Sequence, residues 1–253
     1  MKLKNWKIFQ FYINNMGNDF FRFKQFIVKQ SGAAMKVGVD SVLLGAWACA
    51  EKACHVLDVG SGSGVLALMM AQRYPDAMID AVEIDNDAHL QAIENVRNSA
   101  WSNRIQLFND DFFNYVNNYL LRYDMIISNP PYFTDSLKSS DTKRTIARHN
   151  DSLPHTQLMS ESAKLLTSDG ILALTLPPTE ASVLINEASS CNLFVKRVIH
   201  VKSLPSKPVY RMLLEFSKAE YPQNEQTLCI EKTDRSDYTE EYKQLTQNFY
   251  IKF

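Results

Sequence analysis

Cysteine is scarce in this sequence, and none of its four cysteines forms a Cys-x-x-Cys pair. Cysteine-based metal sites are built from such pairs, and small secreted domains carry a much higher density of cysteine for their disulfides. The scarcity therefore predicts that no metal is bound, that the thiols are reduced, and that the protein is cytoplasmic. The four residues are Cys49, Cys54, Cys191 and Cys229.

Long apolar runs are missing as well, because no stretch of the sequence approaches the roughly 20 apolar residues of a membrane helix. The N-terminal stretch MKLKNWKIFQFYINNM contains lysines but neither a clean apolar segment nor a small-residue cleavage site. We therefore expect no signal peptide and no membrane partner. The 253 residues are enough for one large domain with a complete core. We expect that domain to span 19–253 as a monomer, after an extension at 1–18 that is either disordered or not the native start.

A strong charge of one sign is also absent, since the formal net charge is −1. The charges are nevertheless uneven: residues 195–214 contain five Lys or Arg and no acid, and residues 1–36 contain seven with one acid. A further basic stretch is TKRTIARH, whereas DAVEIDNDAH and NDDF are acidic. The pattern fits either a basic face beside an acidic pocket or an ordinary solvated surface, and charge alone favours the second.

Short apolar segments alternate with helical patterns through most of the chain, which indicates a doubly wound parallel sheet. After a further helix at 179–190, NLFVKRVIHV and VYRMLLEFS are joined through KSLPSKP, which predicts an antiparallel return at the sheet edge. A weak strand at TLCI and a helix capped by Thr239 follow. The first five predicted strands are 55–59, 77–83, 104–108, 123–128 and 170–176, and the helices between them are 64–73, 87–99, 112–121 and 155–167.

The loop after the first of these strands, VLDVGSGSGV, combines an acid with three glycines. Gly60, Gly62 and Gly64 let the backbone approach a ligand at the start of a helix. Asp58 precedes the first glycine by two positions. A dinucleotide fingerprint would need glycine at Val65, and no Gly-Lys-Ser/Thr is present for a P-loop. The pattern resembles motif I of class I methyltransferases, which bind S-adenosylmethionine, and a merely tight strand-to-helix turn is the alternative.

Two more acids follow the next two strands. Glu83 ends the second strand, where a carboxylate can accept both ribose hydroxyls of a nucleoside. Asp111 follows the third strand, where it can accept a hydrogen bond from an adenine amino group while Phe112 lines the ring. Asp85 and Asp110 are neighbours that can share or exchange these roles. All of these positions fall at the carboxyl ends of strands, where open α/β sheets bind ligands.

The segment DMIISNPPYF runs from a predicted strand directly into Asn-Pro-Pro-Tyr. Proline cannot donate to a sheet ladder, so the strand is expected to end at Asn129 or one residue earlier, in a stiff turn. The Asn129 side-chain oxygen and the Pro130 carbonyl can each accept one N–H of an amine that is conjugated to a ring, which orients its lone pair. Tyr132 or Phe133 can stack on that ring. We therefore predict Asn129, Pro130 and Tyr132 as catalytic residues and Pro131, Tyr132 and Phe133 as substrate contacts; a proline-stiffened structural loop is the alternative.

This turn matches motif IV of the amino-group N-methyltransferases, and nearly the whole chain resembles the bacterial tRNA (adenine-N6)-methyltransferases. The resemblance rests on FRFKQFIVKQSGAAMKVGVDSVLLGAWA, DVGSGSG, NPPYF, ARH and YTEEYKQLTQNFY. It implies a class I methyltransferase (Rossmann-like) α/β fold: a doubly wound, mostly parallel seven-stranded sheet with an antiparallel edge strand, in a single domain with short terminal extensions. It also implies S-adenosylmethionine as cofactor, tRNA as partner, and adenosine 37 of a valine tRNA as the target.

The resemblance adds cofactor contacts in the segment MKVGVDSVLLG, which precedes the first strand. Lys36, Val37 and Asp40 are implied to border the methionine end of the cofactor, and Asn129 is implied to contact the cofactor as well as the target amine. From the residues alone, Asp40 is expected to cap the helix that follows, and it can serve both purposes.

Three other functions stay open from the sequence. A protein-glutamine methyltransferase of release factors shares Asn-Pro-Pro-Tyr, but that family carries a helical domain ahead of its core, and fewer than 55 residues precede the first strand here. A DNA adenine methyltransferase would need a target-recognition domain large enough to read a duplex. A non-catalytic RNA-binding module would have no need of the intact acids and turn.

If tRNA is the substrate, basic side chains are expected to form a docking face around Tyr132. Such a face would bind phosphates, and its affinity would fall as salt is added. The predicted docking residues are Arg144, Arg148, Lys202, Lys207 and Arg211.

Overall fold

The predicted alternation of strands and helices is present in the computed structural model of the chain. The structure describes residues 19–31, 36–119, 121–131, 154–222, 224–233 and 237–252. The strands in these ranges are β1 Phe20–Arg22, β2 Ile27–Lys29, β3 His55–Val59, β4 Met78–Glu83, β5 Ile105–Asn109, β6 Tyr123–Ser128, β7 Leu166–Leu176, β8 Phe194–Lys202, β9 Val209–Ser217 and β10 Asn224–Cys229. The helices are α1 Val39–Trp47, α2 Val65–Arg73, α3 Asn86–Arg97, α4 Phe112–Asn118, α5 His155–Leu165, α6 Pro178–Glu187 and α7 Glu240–Thr246, with a 3-10 turn at Ala188–Cys191.

The strands and helices begin and end close to the predicted residues where a local sequence signal sets their bounds. Strands β3, β6 and β9 have the predicted bounds, and β6 ends at Ser128, directly before the Asn-Pro-Pro turn. Thr239 caps α7 as predicted, because its Oγ1 accepts a hydrogen bond from the Tyr242 N–H at 3.2 Å. Strand β7 begins at Leu166 rather than at 170, since it follows α5 without a loop.

Eight strands form one sheet in the order β10-β8-β9-β7-β6-β3-β4-β5. The pairings from β7 through β5 are parallel, which confirms the predicted fold class. Two details are corrected. The sheet has eight strands instead of seven, because β10 pairs with β8; its exposed, polar residues give only a weak strand signal. The antiparallel strand β9 is internal rather than at the edge, since it lies between β7 and β8.

The winding of the sheet changes direction between β3 and β6. From β3 the chain adds β4 and β5 on one side and then returns to place β6 on the other. Asp58 of β3 therefore has Ala81 of β4 on one side and Ile127 of β6 on the other. Crevices open at the carboxyl ends of strands at such a point. The glycine-rich loop after β3 and the Asn-Pro-Pro turn after β6 thus leave the sheet side by side.

Two apolar cores cover the two faces of the sheet. Val56 of β3 packs with α1 and α2 on one face, whereas the adjacent Leu57 packs with α4, α5 and α6 on the other. Both side chains are fully buried. Because both faces of the sheet are covered by helices, the central strands are mostly apolar, as is typical of parallel sheets.

The β1–β2 hairpin and residues 246–250 pack against each other, and we call this assembly the terminal clasp. The Lys24 N–H donates to the Phe249 carbonyl at 2.8 Å, and Phe23 packs edge-on against the Phe249 ring. The clasp also reaches the glycine-rich loop. The buried Asn95 side chain of α3 exchanges two hydrogen bonds with the Lys29 backbone and donates a third to the Ser63 carbonyl at 2.9 Å.

Candidate active site at the strand ends

The glycine-rich loop after β3 is a series of left-handed turns beside the end of β4. Gly60, Gly62 and Gly64 have φ angles of 68°, 54° and 81°, a region that side chains other than glycine rarely adopt. The N–H groups of Gly60 and Ser61 both donate to the Val82 carbonyl, at 2.9 and 3.1 Å. A Cβ added at Gly60 or Gly62 would meet no other atom of the described residues within 4 Å. The loop backbone therefore faces open space at the crevice.

Asp58 lies behind this loop and is fully buried. Its Oδ2 accepts a hydrogen bond from the Ala67 N–H at 3.0 Å, which fixes the first turn of α2. Its Oδ1 has no hydrogen-bond partner among the described residues, and the same holds for the buried Ser61 hydroxyl. Burial raises the pKa of Asp58 to about 8, against the lowering effect of the Ala67 hydrogen bond. The predicted cofactor acid thus supports the start of α2 and keeps one oxygen without a partner among the described residues.

Glu83 closes the crevice at the end of β4. Its Oε2 accepts from the Gly62 N–H at 2.7 Å, and its Oε1 accepts from the Asp85 N–H at 2.9 Å. Burial raises the pKa of Glu83, and these two backbone hydrogen bonds partly oppose the shift. Since each carboxylate oxygen can accept two hydrogen bonds, both can still take a donor from a ligand. Asp85, which the sequence leaves as a partner of Glu83, instead caps α3 by accepting from the Ala88 N–H at 2.7 Å.

Ile84 is a candidate that the sequence interpretation missed. It follows Glu83 directly, and 49% of its surface is exposed although it is apolar. An exposed apolar side chain beside a crevice can cover the face of a planar ring. The signal was present in the sequence, as an apolar residue between two strand-end acids.

Asp111 and Phe112 lie at the end of β5, as predicted, but both make structural contacts. The Asp111 carboxylate caps α4 by accepting from the Phe113 and Asn114 N–H groups at 2.8 and 3.2 Å. Phe112 is only 4% exposed and packs in the second core. Asp110 accepts from the Asp111 N–H at 2.8 Å. A cofactor role for Asp111 and Phe112 therefore stays a prediction alongside these contacts.

The Asn-Pro-Pro turn is bound to its surroundings on the side of the glycine-rich loop. The buried Ser128 hydroxyl donates to the Val59 carbonyl at 2.7 Å, which ties the end of β6 to the end of β3. The Asn129 side-chain nitrogen donates to the Ser41 hydroxyl of α1, also at 2.7 Å. Ser41 is buried, and the sequence interpretation did not select it.

On the opposite side, α5 contacts the same turn. The His155 Nε2 lies 3.1 Å from the Pro131 carbonyl oxygen, and the imidazole is 7% exposed. Burial lowers the pKa of His155, so the ring is neutral near pH 7 and donates through Nε2–H. Pro130 is buried, whereas Pro131 is exposed. Four predicted substrate contacts lie outside the described residues: Tyr132, Phe133, Arg144 and Arg148.

Asp40, at the start of α1, forms an ion pair rather than a helix cap. Helix α1 begins after Gly38, so Asp40 lies in its first turn and the predicted capping role of Asp40 is wrong. Its Oδ2 instead accepts from the Arg211 Nε at 2.7 Å, and about a fifth of each side chain is exposed. The sequence groups Arg211 with the docking cations; its guanidinium pairs with Asp40, and the docking role stays a prediction. Lys36 is exposed.

Lys202 and Lys207 flank the loop between β8 and β9. Strand β8 runs parallel to β6, so this loop leaves the sheet at the same edge as Asn129, three strands across. Lys207 is exposed and Lys202 partly so, and neither forms an ion pair with the described residues. Both cations are therefore available on the edge that carries the candidate site.

Two negative findings apply to the described ranges alone. They contain no group of three or more His, Cys, Asp or Glu side chains arranged to hold a metal ion. None of the helices in them has the length and apolar character needed to cross a membrane.

Known proteins match this chain in sequence and in fold. A family model described as the methyltransferase small domain matches residues 34–178. A protein of Parabacteroides distasonis named tRNA1(Val) (adenine(37)-N6)-methyltransferase is 44% identical over 237 residues, covering 94% of this chain and 100% of that protein. A protein of the same name from Trichodesmium erythraeum is 42% identical over 240 residues, with the same coverage. A solved structure of a predicted O-methyltransferase from Agrobacterium tumefaciens has a TM-score of 0.63 at 19% identity, covering 83% of this chain and 96% of that one, which supports the fold alone.

Proposed function

The chain belongs to the methyltransferase small domain family and to the tRNA1(Val) (adenine(37)-N6)-methyltransferases, and from this membership we propose that it methylates the N6 amino group of an adenosine in tRNA. The methyl donor is S-adenosylmethionine, and the target is adenosine 37 of a valine tRNA. The observation that carries the proposal is the Asn129–Pro131 turn, which is hydrogen-bonded to α1 and α5 at the point where the glycine-rich loop leaves the sheet.

The residues around the glycine-rich loop support S-adenosylmethionine as the donor. A ligand has room against the backbone in the part of the chain that the structure describes, since a Cβ at Gly60 or Gly62 would meet none of its atoms within 4 Å. Glu83 offers carboxylate oxygens for ribose hydroxyls, and the exposed Ile84 offers an apolar surface for the adenine ring. The buried Asp58 Oδ1, which has no partner among the described residues, is a further polar atom below the loop. When bound, the cofactor supplies an electrophilic methyl group.

The residues of the Asn-Pro-Pro turn position the nucleophile. The exocyclic nitrogen of adenine is a weak nucleophile, because its lone pair is delocalised into the ring. The Asn129 side-chain oxygen and the Pro130 carbonyl accept its two N–H groups, which directs the lone pair and stabilises the positive charge that grows on nitrogen. The prolines hold these acceptors in a fixed relation, so little reorganisation is needed during the reaction.

Lys202 and Lys207 are proposed to bind the RNA backbone. They lie on the edge of the sheet that carries the turn, where the backbone of a nucleic acid would pass if its target base enters the crevice. Arg144 and Arg148 are proposed for the same face from the sequence alone. Phosphate contacts of this kind give affinity without reading sequence, so the choice of tRNA must depend on other contacts.

The test is mass spectrometry of nucleosides from valine tRNA transcripts incubated with the protein and S-adenosylmethionine. We expect N6-methyladenosine with the wild-type protein, and none with Asn129→Ala or with a transcript that has guanosine at position 37. A wild-type protein that leaves tRNA unmodified, or that methylates a glutamine of a release factor instead, would overturn the proposal.

A further inference from the structure

The Asn129 carboxamide is held in one orientation by a side chain from another helix. Its Nδ2 donates to the Ser41 Oγ at 2.7 Å, and Ser41 is 8% exposed in the first turn of α1. The two ends of a carboxamide are chemically opposite, since the nitrogen only donates and the oxygen only accepts. In the structure this hydrogen bond anchors the nitrogen end on α1, so the oxygen end points away from α1.

This orientation matters for the proposed reaction, on which the inference rests. A target amine needs an acceptor from Asn129. If the carboxamide were reversed, an NH₂ group would face the N–H of the substrate, and it could not stabilise a positive charge. The sequence of the turn alone does not decide between the two orientations, because both have the same shape.

The second half of the turn is held from the opposite side of the crevice. Strand β6 ends at Ser128, so the carbonyls of Pro130 and Pro131 are not set by strand pairing. The His155 Nε2 is 3.1 Å from the Pro131 carbonyl oxygen, and the ring is 7% exposed at the start of α5. By fixing that peptide, His155 restricts the rotation of the turn and hence the direction of the neighbouring Pro130 carbonyl.

We infer that Ser41 and His155 are positioning residues for methyl transfer: Ser41 anchors the Asn129 carboxamide with its oxygen directed away from α1, and His155 holds the carbonyl of Pro131, the residue after Pro130. Neither touches the substrate in this assignment. Both act through the two acceptors of the target amine, so their removal lowers the rate of the chemical step and leaves cofactor binding unchanged.

Ser41 is tested with a pair of variants that differ in the hydroxyl. Ser41→Ala is expected to lower kcat by about 10- to 100-fold, the scale of a misplaced catalytic group, while the KM for tRNA and the Kd for S-adenosylmethionine stay within about twofold. Ser41→Thr keeps the hydroxyl and is expected to recover most of the rate. Ser162→Ala is the matched control, because Ser162 is a fully buried serine whose hydroxyl has no hydrogen-bond partner among the described residues.

His155 is tested in the same way. His155→Leu removes the donor and is expected to lower kcat with little change in KM, whereas His155→Gln can still donate an N–H to the Pro131 carbonyl and is expected to retain most of the rate. His200→Gln is the control, since His200 pairs with Glu225 away from the turn. Equal rates for His155→Leu and wild type, or no difference between the Leu and Gln variants, overturn the role of His155.

A double-mutant cycle isolates the orientation effect. In Asn129→Asp both ends of the side chain are acceptors, so no reversed orientation exists. Adding Ser41→Ala to Asn129→Asp is expected to cost less than about threefold in rate, compared with the larger loss in the Asn129 background. An equal loss in both backgrounds shows that Ser41 acts by packing and overturns the inference.

A spectroscopic measurement separates this inference from the proposed function. In ¹⁵N spectra, the Asn129 side-chain amide, identified by its absence in Asn129→Ala, is expected to exchange slowly with water in wild type and faster in Ser41→Ala. Unchanged exchange overturns the inference even in a protein that methylates tRNA. Conversely, a wild-type protein with a protected amide that leaves tRNA unmodified defeats the proposed function and leaves the hydrogen bond in place.

Discussion

Replacing Glu83 by glutamine keeps the shape of a buried side chain and changes one carboxylate oxygen to an amide nitrogen. The two oxygens of Glu83 accept from the Gly62 and Asp85 N–H groups, at 2.7 and 2.9 Å. Glutamine can accept only one of these, and its NH₂ then faces the other N–H. We expect the glycine-rich loop to lose one support, and the cofactor to lose an acceptor for a ribose hydroxyl.

The size of the effect follows from the charge on the acceptor. A hydrogen bond to a charged group contributes about 1.5–3 kcal/mol, and about 1.4 kcal/mol changes an affinity tenfold. The loss of one such bond therefore weakens S-adenosylmethionine binding by about 10- to 100-fold. Folding stability is expected to change less, because burial already raises the pKa of Glu83 and neutralisation removes that desolvation cost.

Calorimetric titration with S-adenosylmethionine near neutral pH measures this loss, and thermal unfolding of the same samples checks the fold. Asp85→Asn is the matched control, because it removes the same charge two positions away. Asparagine is as good a helix cap as aspartate, so α3 keeps the cap that Asp85 provides. We expect Asp85→Asn to bind the cofactor within about twofold of wild type, since an exposed charge is screened by salt.

Two results would refute the reasoning. Unchanged affinity in Glu83→Gln would show that Glu83 does not accept the ribose hydroxyls. Equal losses in Glu83→Gln and Asp85→Asn would show that the overall charge of the crevice, rather than the hydrogen bonds of one carboxylate, controls binding.

Three further predictions concern the turn, the buried acid and the basic edge. Asn129→Ala is expected to abolish methyl transfer to tRNA in a radiolabel assay while calorimetry shows a cofactor affinity within about threefold of wild type, and a variant that methylates at the normal rate would contradict its role. Burial raises the pKa of Asp58 from 3.8 to about 8, so the folded protein holds a proton that the unfolded chain releases, and stability is highest below the lower value and falls as pH rises towards the upper one. Asp58→Asn removes this contribution of up to about 1.4 kcal/mol per pH unit, which denaturant unfolding across the range measures; identical pH profiles would exclude a raised pKa. Replacing Lys202 and Lys207 by alanine is expected to reduce the slope of log K against log salt for tRNA binding by about one to two units, and an unchanged slope would mark them as ordinary solvated charges.

The strands and the two loops of the site could be predicted because their signals are local. Buried parallel strands are continuous apolar runs, and the two prolines after Ser128 end β6 wherever the rest of the chain lies. The glycines of the first loop have the left-handed angles that their composition suggests. No information from distant residues was needed for these elements.

The roles of individual acids could not be read from the same patterns. Asp85 and Asp111 each stand between a strand and a helix, where an acid suits a ligand contact and a helix cap equally well. In the structure both cap helices, whereas Glu83, still within its strand, accepts from the glycine-rich loop. Two positions along the chain separate Glu83 from Asp85, and the start of the helix decides between these outcomes.

Contacts between distant segments could not be predicted from the sequence, for a different reason. The basic cluster at 195–214 contains no acid, yet Arg197 pairs with Glu215, which lies one residue outside that window and is fully buried. Arg211 of the same cluster pairs with Asp40, 171 positions earlier. The register of β8 on β9 and the packing of α1 bring these groups together. Neither can be predicted from the order of charges along the chain. Ser41 could not be selected for the same reason.

The terminal clasp sets an order of events during synthesis. Lys24 and Gln247, which it joins, are 223 positions apart. At about 5–20 residues per second, a ribosome needs roughly 10 to 45 seconds to cover that distance. The central strands can pair during this interval, but the hairpin lacks its partner until the last segment has emerged. The hydrogen bonds that link β2 through Asn95 to Ser63 of the glycine-rich loop can form earlier, so it is the packing of residues 246–250 on the hairpin that waits for the end of synthesis.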